Sequence, residues 1–470
     1  MQDGKRVAET EFNGADFGDK RLTRRLETVA AALEQKPDGS FPKVMTSAEL
    51  EGFYRFLSND RVNADTILAP HRRATVERCA RARTVICVED TTMLQFQAPR
   101  EGLGAYGGRT FFAHVGLALD ASGIPLGVLG LSPWARTKES TRSRRRRGEL
   151  SEVEAAQAPN ENDRWIEVVE QIEREIGDEA EVIHVMDSEG DDYDVLQQLV
   201  TAGRHFVIRG GDNRRLESID GSPTKMAEAV ASCPVRCTRT VRLSRRGKKR
   251  LTGRATRRRD APRDERKAKL SIGATGVRVR APDYLRGVPV TVDLNVVCVR
   301  EANAPADVDP VEWFLLTTEP IDTKEQILRV VDLYRHRWKI EELFKALKTG
   351  CAFQKRQLDS YKTLVHALAL FLPIAWNLLR LRTFSRLDTN LRAETVLSEA
   401  ELVVLRAFAE KPLPKRPTIV QAMLAIARMG GHLENNGPPG WSTLGSGYLT
   451  LIERVHGYLI GLRAPRSDQS

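Results

Sequence analysis

Two short apolar runs, Thr84-Val-Ile-Cys-Val88 and Val182-Ile-His-Val-Met186, constrain the fold of this chain most. Each has the length of a buried strand and is too short for a buried helix. Each also runs straight into acids: Glu89-Asp90 after the first, Asp187 after the second. A carboxylate at the end of an apolar strand has a rigid backbone behind it and an open groove in front. Around these runs the texture alternates. Residues 111–119 and 124–131 predict a hairpin turning at Asp120-Ala-Ser-Gly123, helices are expected over 165–176 and 193–202, and further strands over 206–209 and 313–317. Such alternation predicts a mixed α/β core whose strands end in acids.

Residues 216–310 interrupt that core as a basic, β-rich insertion, with Val290-Thr-Val-Asp-Leu-Asn-Val-Val-Cys-Val299 as its clearest strand. Between positions 236 and 280 stand 18 Lys and Arg against three acids, a local charge of +15. The whole chain carries +10, so everything outside this block sums to −5. One block therefore carries the basic character and points to a polyanionic partner. The alternative is a solvated basic loop without a specific role; strand-like flanks at 236–243 and 277–280 favour a structured projection. Residues 1–75 read as a separate helical unit and residues 386–470 as helical again. The core falls into two parts, 76–215 and 311–385. The fold class expected is thus multidomain α/β (α+β), for which 470 residues provide ample cores. The sequence holds no uninterrupted apolar run of membrane-spanning length, and its start, Met-Gln-Asp-Gly-Lys-Arg, lacks a signal-peptide apolar region. A cytoplasmic protein without membrane contact is expected. The six cysteines are scattered and read as reduced; Cys233 and Cys237 have no second Cys or His pair to complete a zinc site.

The stretch Tyr334-Arg-His-Arg-Trp-Lys-Ile-Glu-Glu-Leu-Phe-Lys-Ala-Leu-Lys348 carries the sharpest chemical pattern. Wound as one α-helix, it places Tyr334, Arg337, Glu341, Lys345 and Lys348 on one polar stripe, with Leu333, Ile340, Leu343, Phe344 and Leu347 opposite. One carboxylate among three cations and a phenol suits a phosphodiester handled with metal ions. The plain alternative is a solvated helix face with Glu–Lys pairs. Asp90, Asp187 and Glu341, supplied by separate elements, are candidate ligands for two Mg²⁺ ions, or Mn²⁺ as substitute. Such ions activate a water or 3′-hydroxyl and stabilise the leaving oxygen. No P-loop is present, so no nucleotide cofactor is expected.

On these residues the chain resembles the DDE insertion-sequence transposases with a ribonuclease-H-like core, in the Tn-five-like branch marked by a Tyr–Arg–Glu–Lys signature. The signature is met by Tyr334, Arg337, Trp338, Ile340, Glu341, Glu342, Lys345 and Lys348, and the first-acid motif by Glu89-Asp-Thr-Thr92. Gly18-Asp-Lys-Arg21 and Glu51-Gly-Phe-Tyr-Arg-Phe56 meet the N-terminal motifs. The resemblance implies that Asp90, Asp187 and Glu341 are the catalytic, metal-binding triad. It implies that Tyr334, Arg337, Lys345 and Lys348 hold DNA near the cut, and that Trp313 stacks on a flipped base. For Trp313 a place in the core, opening a strand, stays open. Arg21, Arg24, Arg25 and Arg55 are expected to help recognise the element's ends. The implied activity is cut-and-paste transposition: hydrolytic nicking of the ends, a hairpin intermediate, and joining to target DNA. A homodimer built on the C-terminal helices and a bacterial, nucleoid-associated location go with it. Three departures stand out: Ser188 where the family has Arg, Leu444-Gly-Ser-Gly447 where it continues Leu-Trp-Arg-Gly, and an unusually arginine-rich insertion. The two glycines are expected to loosen the C-terminal helices. Two other readings remain: a non-catalytic end-binding inhibitor, and a metal-dependent nuclease on the same fold.

Overall fold

In a computed structural model the chain is described over residues 7–104, 106–136, 161–218, 221–231, 233–243, 264–283, 285, 287–305, 310–387 and 390–463. Its centre is one eleven-stranded sheet. The first half contributes β1 (Thr84–Gln95), β2 (Thr110–Leu119), β3 (Pro125–Trp134), β4 (Glu181–Met186) and β5 (His205–Gly210). The insertion contributes β6 (Arg215–Glu217), β7 (Pro223–Lys225), β8 (Val235–Leu243), β9 (Arg266–Arg280) and β10 (Thr291–Ala302), and β11 (Glu312–Thr317) closes the set. The order is β3-β2-β1-β4-β5-β11-β10-β9-β6-β7, with β8 pairing β9. The β1–β2 and β2–β3 pairs are antiparallel, whereas β1–β4 and β4–β5 are parallel.

Contrary to the reading of residues 216–310 as an interruption, β9 and β10 continue the same sheet through β11. Their apolar residues, Leu270, Ile272, Val297 and Val299, join the cluster that contains Ile86, Val88 and Val185. Backbone groups left at the edge of β11 find partners most cheaply in another strand, and burial of that face rewards the extension. The charged centre of the insertion, residues 244–263, and the run Arg144–Arg147 lie outside the described residues.

The N-terminal helices are α1 (Val7–Glu11), α2 (Lys20–Gln35), α3 (Phe41–Val44), α4 (Ser47–Ser58) and α5 (Ala64–Cys79). Asp19 caps α2, and Thr46 with Glu49 forms a capping box on α4. Phe53, Phe56 and Leu57 are buried together, as the spacing predicts. The boundary expected at residue 75 falls inside α5, which packs on β3. Leu26, Phe53 and Leu68 belong to the same apolar cluster as the sheet. Across the sheet run α6 (Asp163–Ile176) and α7 (Tyr193–Thr201), with the short α8 (Met226–Ala229) in the insertion.

After β11, Thr323 caps α9 (Lys324–Arg335) with a full capping box, and α10 (Trp338–Lys345) and α11 (Tyr361–Phe384) follow. α11 is long and apolar enough to cross a membrane, but 89% of its apolar window is buried inside the fold, against α5, β3 and α10. The C-terminal helices are α12 (Glu399–Phe408), α13 (Ile419–Met429) and α14 (Trp441–Arg463). α14 runs unbroken through Gly445 and Gly447. A Cβ on Gly447 would lie 1.8 Å from the Ile426 carbonyl oxygen, and one on Gly430 2.0 Å from that of Thr443. The glycines are thus the condition for a close α13–α14 crossing, and the loosening expected of them is not what the fold uses them for.

Candidate active site

The register of β1 and β4 assembles the first half of the site. β1 does not end at Val88 as the apolar run implies; it continues to Gln95, and Asp90 lies mid-strand opposite Val115 of β2. What ends there is the parallel ladder to β4, whose last pair is Glu89 with Met186. Asp90 is the next residue of β1 and Asp187 the first residue beyond β4, so two carboxylates sit side by side where the strands part. Asp90 Oδ1 accepts from the Thr91 amide at 2.7 Å, and Asp187 Oδ1 from the Glu189 amide at 2.7 Å. The Asp90 side chain is only 13% exposed. Burial first, and then the charge of Asp187, push its carboxyl up to about 7, with Arg337 offsetting part of the rise.

Behind Asp90, on the other face of β1, Glu89 is completely buried. His184 donates to it from Nδ1 at 2.5 Å and to Glu173 from Nε2 at 2.9 Å; Arg204 donates to the other Glu173 oxygen at 2.8 Å. Burial alone would lower the His184 imidazole, but Glu89 and Glu173 outweigh it and raise it to about 9. His184 and His114 in turn hold Glu89 below the usual carboxylate range against its own desolvation. His114 stands 3.0 Å from the Thr91 hydroxyl and 3.9 Å from Glu89. Residues on both sides of Asp90 in the chain are therefore tied to fixed partners on β2 and β4.

The second half of the site comes from the segment expected to be one helix. It is two. The amides of His336 and Arg337 reach back only three residues, to Leu333 and Tyr334, and this tight turn separates α9 from α10. His336 packs on the β2–β3 turn at Gly123, whose φ of +82° and whose separation from His336 Nδ1, 2.6 Å for an added Cβ, both require glycine. After Lys345 the chain makes a π-helical turn, Ala346–Gly350, closed by the Cys351 amide on Ala346. Lys348 sits on that turn, not on the α-helical stripe.

Arg337 links the two halves. Its guanidinium donates to Glu341 Oε1 at 2.6 Å and to Asp90 Oδ2 at 3.4 Å, and its Cζ lies 4.9 Å from the centre of the Trp338 ring. Asp90, Thr91, Thr92, Met93, Glu341, Phe344, Lys345, Lys348 and Thr349 line a groove of about 390 Å³. Burial lowers the basicity of Lys348, and the charge of Asp90 offsets part of the fall. Among the described residues no three Asp, Glu, His or Cys side chains already converge on one metal position. Arg337, interposed between Asp90 and Glu341, is one physical reason. The donor set nonetheless suits hard divalent ions: carboxylate oxygens, one of them raised by burial first and then by the negative charge of Asp187, which a cation would relieve.

Tyr334 is buried, with its ring edge-on to Trp313 at 5.4 Å. Burial raises its phenol, partly offset by the charges of Arg337 and Arg209. Trp313 is half-buried at the start of β11, so the core reading holds for part of its ring. Arg209 was not singled out from the sequence. It follows the last β4–β5 pair, Met186 with Ile208, and so stands in register beside Asp187. The rule that picked out the acids, a polar residue closing an apolar strand, also finds Arg209 when applied to cations. Arg21 and Arg24 lie exposed on α2, with Arg21 on Asp19; Arg25 is half-buried over Gly52, and Arg55 on α4 pairs with Glu51. None of the four contacts the carboxylate groove.

Fold and site together define a mixed α/β protein with an acidic pair, a third acid across a groove and cations along its rim. A family model described as transposase DNA-binding matches residues 5–62, and one described as a transposase DDE domain matches residues 150–378. Together these two matches support a DDE transposase that binds DNA and an enzyme acting on it. The DDE match takes in Asp187 and Glu341; Asp90 lies before it.

Proposed function

We propose that this protein is a cut-and-paste transposase of the Tn-five-like branch, with Asp90, Asp187 and Glu341 as its catalytic acids. The observation that carries the reading is the register of β1 and β4, which puts Asp187 beside Asp90, the residue that lines one groove with Glu341. The order β3-β2-β1-β4-β5, antiparallel then parallel, supports a ribonuclease-H-like core. Two divalent ions, Mg²⁺ or Mn²⁺, would be held by the three acids and would supply an activated water or 3′-hydroxyl and a stabilised leaving oxygen. The chain's own groups do the rest. Lys345 and Lys348 hold phosphates along the groove, Arg209 adds a cation in register beside Asp187, and the part-exposed ring of Trp313 takes an unstacked base. Hydrolytic nicking, a hairpin and joining to target DNA follow in that order. On the insertion Arg236, Arg242, Lys267 and Lys269 are exposed, with Arg242 paired to Lys267 and Thr240 to Lys269 in the ladder, a basic edge suited to DNA backbone. Ile460 and Leu462, exposed near the end of α14, support pairing of two copies through the C-terminal helices.

The test uses linear DNA carrying the gene's own flanking inverted repeats, with Mg²⁺, with EDTA, and with Glu341→Gln. Excised, hairpin-ended fragments that need both metal and the intact Glu341 are expected. Cutting by Glu341→Gln at the wild-type rate would remove Glu341 from the triad. Stable binding without any cut would make the protein an end-binder only.

A further inference from the structure

Arg337 holds an unusual position for a phosphate-binding arginine: it is bonded to two of the three acids it is meant to serve. Its side chain is 13% exposed, as is that of Asp90, while Glu341 is 44% exposed. A planar guanidinium with five donors can span two carboxylates; an ammonium cannot do so with the same geometry. The two carboxylates that Arg337 engages, Asp90 and Glu341, are the ones that would hold a divalent ion. Beside it, Trp338 is 55% exposed, and its ring already supports the guanidinium.

We infer that Arg337 is a cation surrogate that keeps the site closed to metal until DNA arrives. With no DNA bound, the guanidinium neutralises Asp90 and Glu341 and competes with the ion for their oxygens. A phosphate in the groove offers it a better, bidentate partner. The side chain then leaves the carboxylates along the indole face of Trp338, and the two acids are released to metal. Metal and DNA binding become positively coupled through one side chain, and by linkage each must strengthen the other by the same factor. Metal-dependent nicking is thereby confined to the DNA-bound protein. This inference rests on the reading of Asp90 and Glu341 as metal ligands.

The experiment measures Mn²⁺ binding to the full chain by electron paramagnetic resonance, with and without a short duplex, so no catalytic turnover is needed. Without DNA, Arg337→Met is expected to bind Mn²⁺ about tenfold more tightly than wild type. The duplex is expected to tighten Mn²⁺ binding in wild type and to change it little in Arg337→Met. Arg337→Lys, which keeps the charge and loses the fork, is the second variant and should show a smaller gain in the same direction. Equal Mn²⁺ affinity of wild type and both variants without DNA would overturn the surrogate role, as would a wild-type affinity that DNA leaves unchanged. Asp90→Asn in the wild-type and Arg337→Met backgrounds separates the two levels. If it abolishes binding while Arg337 has no effect, only the surrogate fails. If binding survives Asp90→Asn, the ion sits elsewhere and the reading of the site itself falls.

Discussion

Glu89→Gln tests whether the buried chain behind Asp90 works as charges or merely as packing. The substitution keeps the shape and removes the anion that His184 meets at 2.5 Å. In the folded protein His184 is raised from 6.5 to about 9, with burial opposing the rise and Glu89 and Glu173 producing it. A group raised on folding stabilises fully below its unfolded value, and that stability is lost as pH climbs through the folded value. The window is therefore pH 6.5 to about 9. A shift of this size corresponds to about 3 kcal/mol over the window. Glu173 remains in the variant and keeps part of it, so a loss of about 1 to 3 kcal/mol is expected to depend on Glu89. Urea unfolding followed by tryptophan fluorescence at pH 6.5, 8 and 9.5 measures it. Wild type should exceed Glu89→Gln by the widest margin at pH 6.5, and the gap should narrow steadily towards pH 9.5. A gap that stays constant across those pH values would refute the ionic account and leave Glu89 a packing residue.

Replacing both Lys345 and Lys348 by Gln is expected to weaken DNA binding for every sequence alike and to lower the salt slope by about 2, read from affinities at several salt concentrations. Trp313→Ala should still permit the first nick but stall before the hairpin; normal hairpin yield returns Trp313 wholly to the core, where it meets Tyr334 at 5.4 Å. Gly447→Val places atoms against the Ile426 carbonyl, and thermal unfolding should show the C-terminal helices destabilised by about 1–3 kcal/mol. An unchanged unfolding profile would mean that α13 and α14 separate at little cost.

What the sequence determined by itself is local. Thr323 with Gln326 and Thr46 with Glu49 cap their helices through groups three residues apart, and both caps form. The apolar runs at 84–88 and 182–186 are strands because their side chains suit a buried sheet, and an acid follows each of them. The charge count placed the basic block without any structure. The tertiary structure decided the rest. Strand register put Asp187 beside Asp90 and Arg209 beside Asp187, and no spacing along the chain encodes either pairing, the first of them between residues about 100 positions apart. The sheet's open edge turned the insertion into more of the same sheet. Packing of His336 on Gly123 accompanies the break between α9 and α10, and the π turn moved Lys348 off the stripe that helical periodicity had drawn. Glu89, unremarkable in its motif, became a buried ion because His184 and His114 arrive from two other strands. Caps and periodicity are settled by neighbours within a turn or two. Register, burial and ion pairing depend on which distant surfaces meet, and that is set only when the whole core closes.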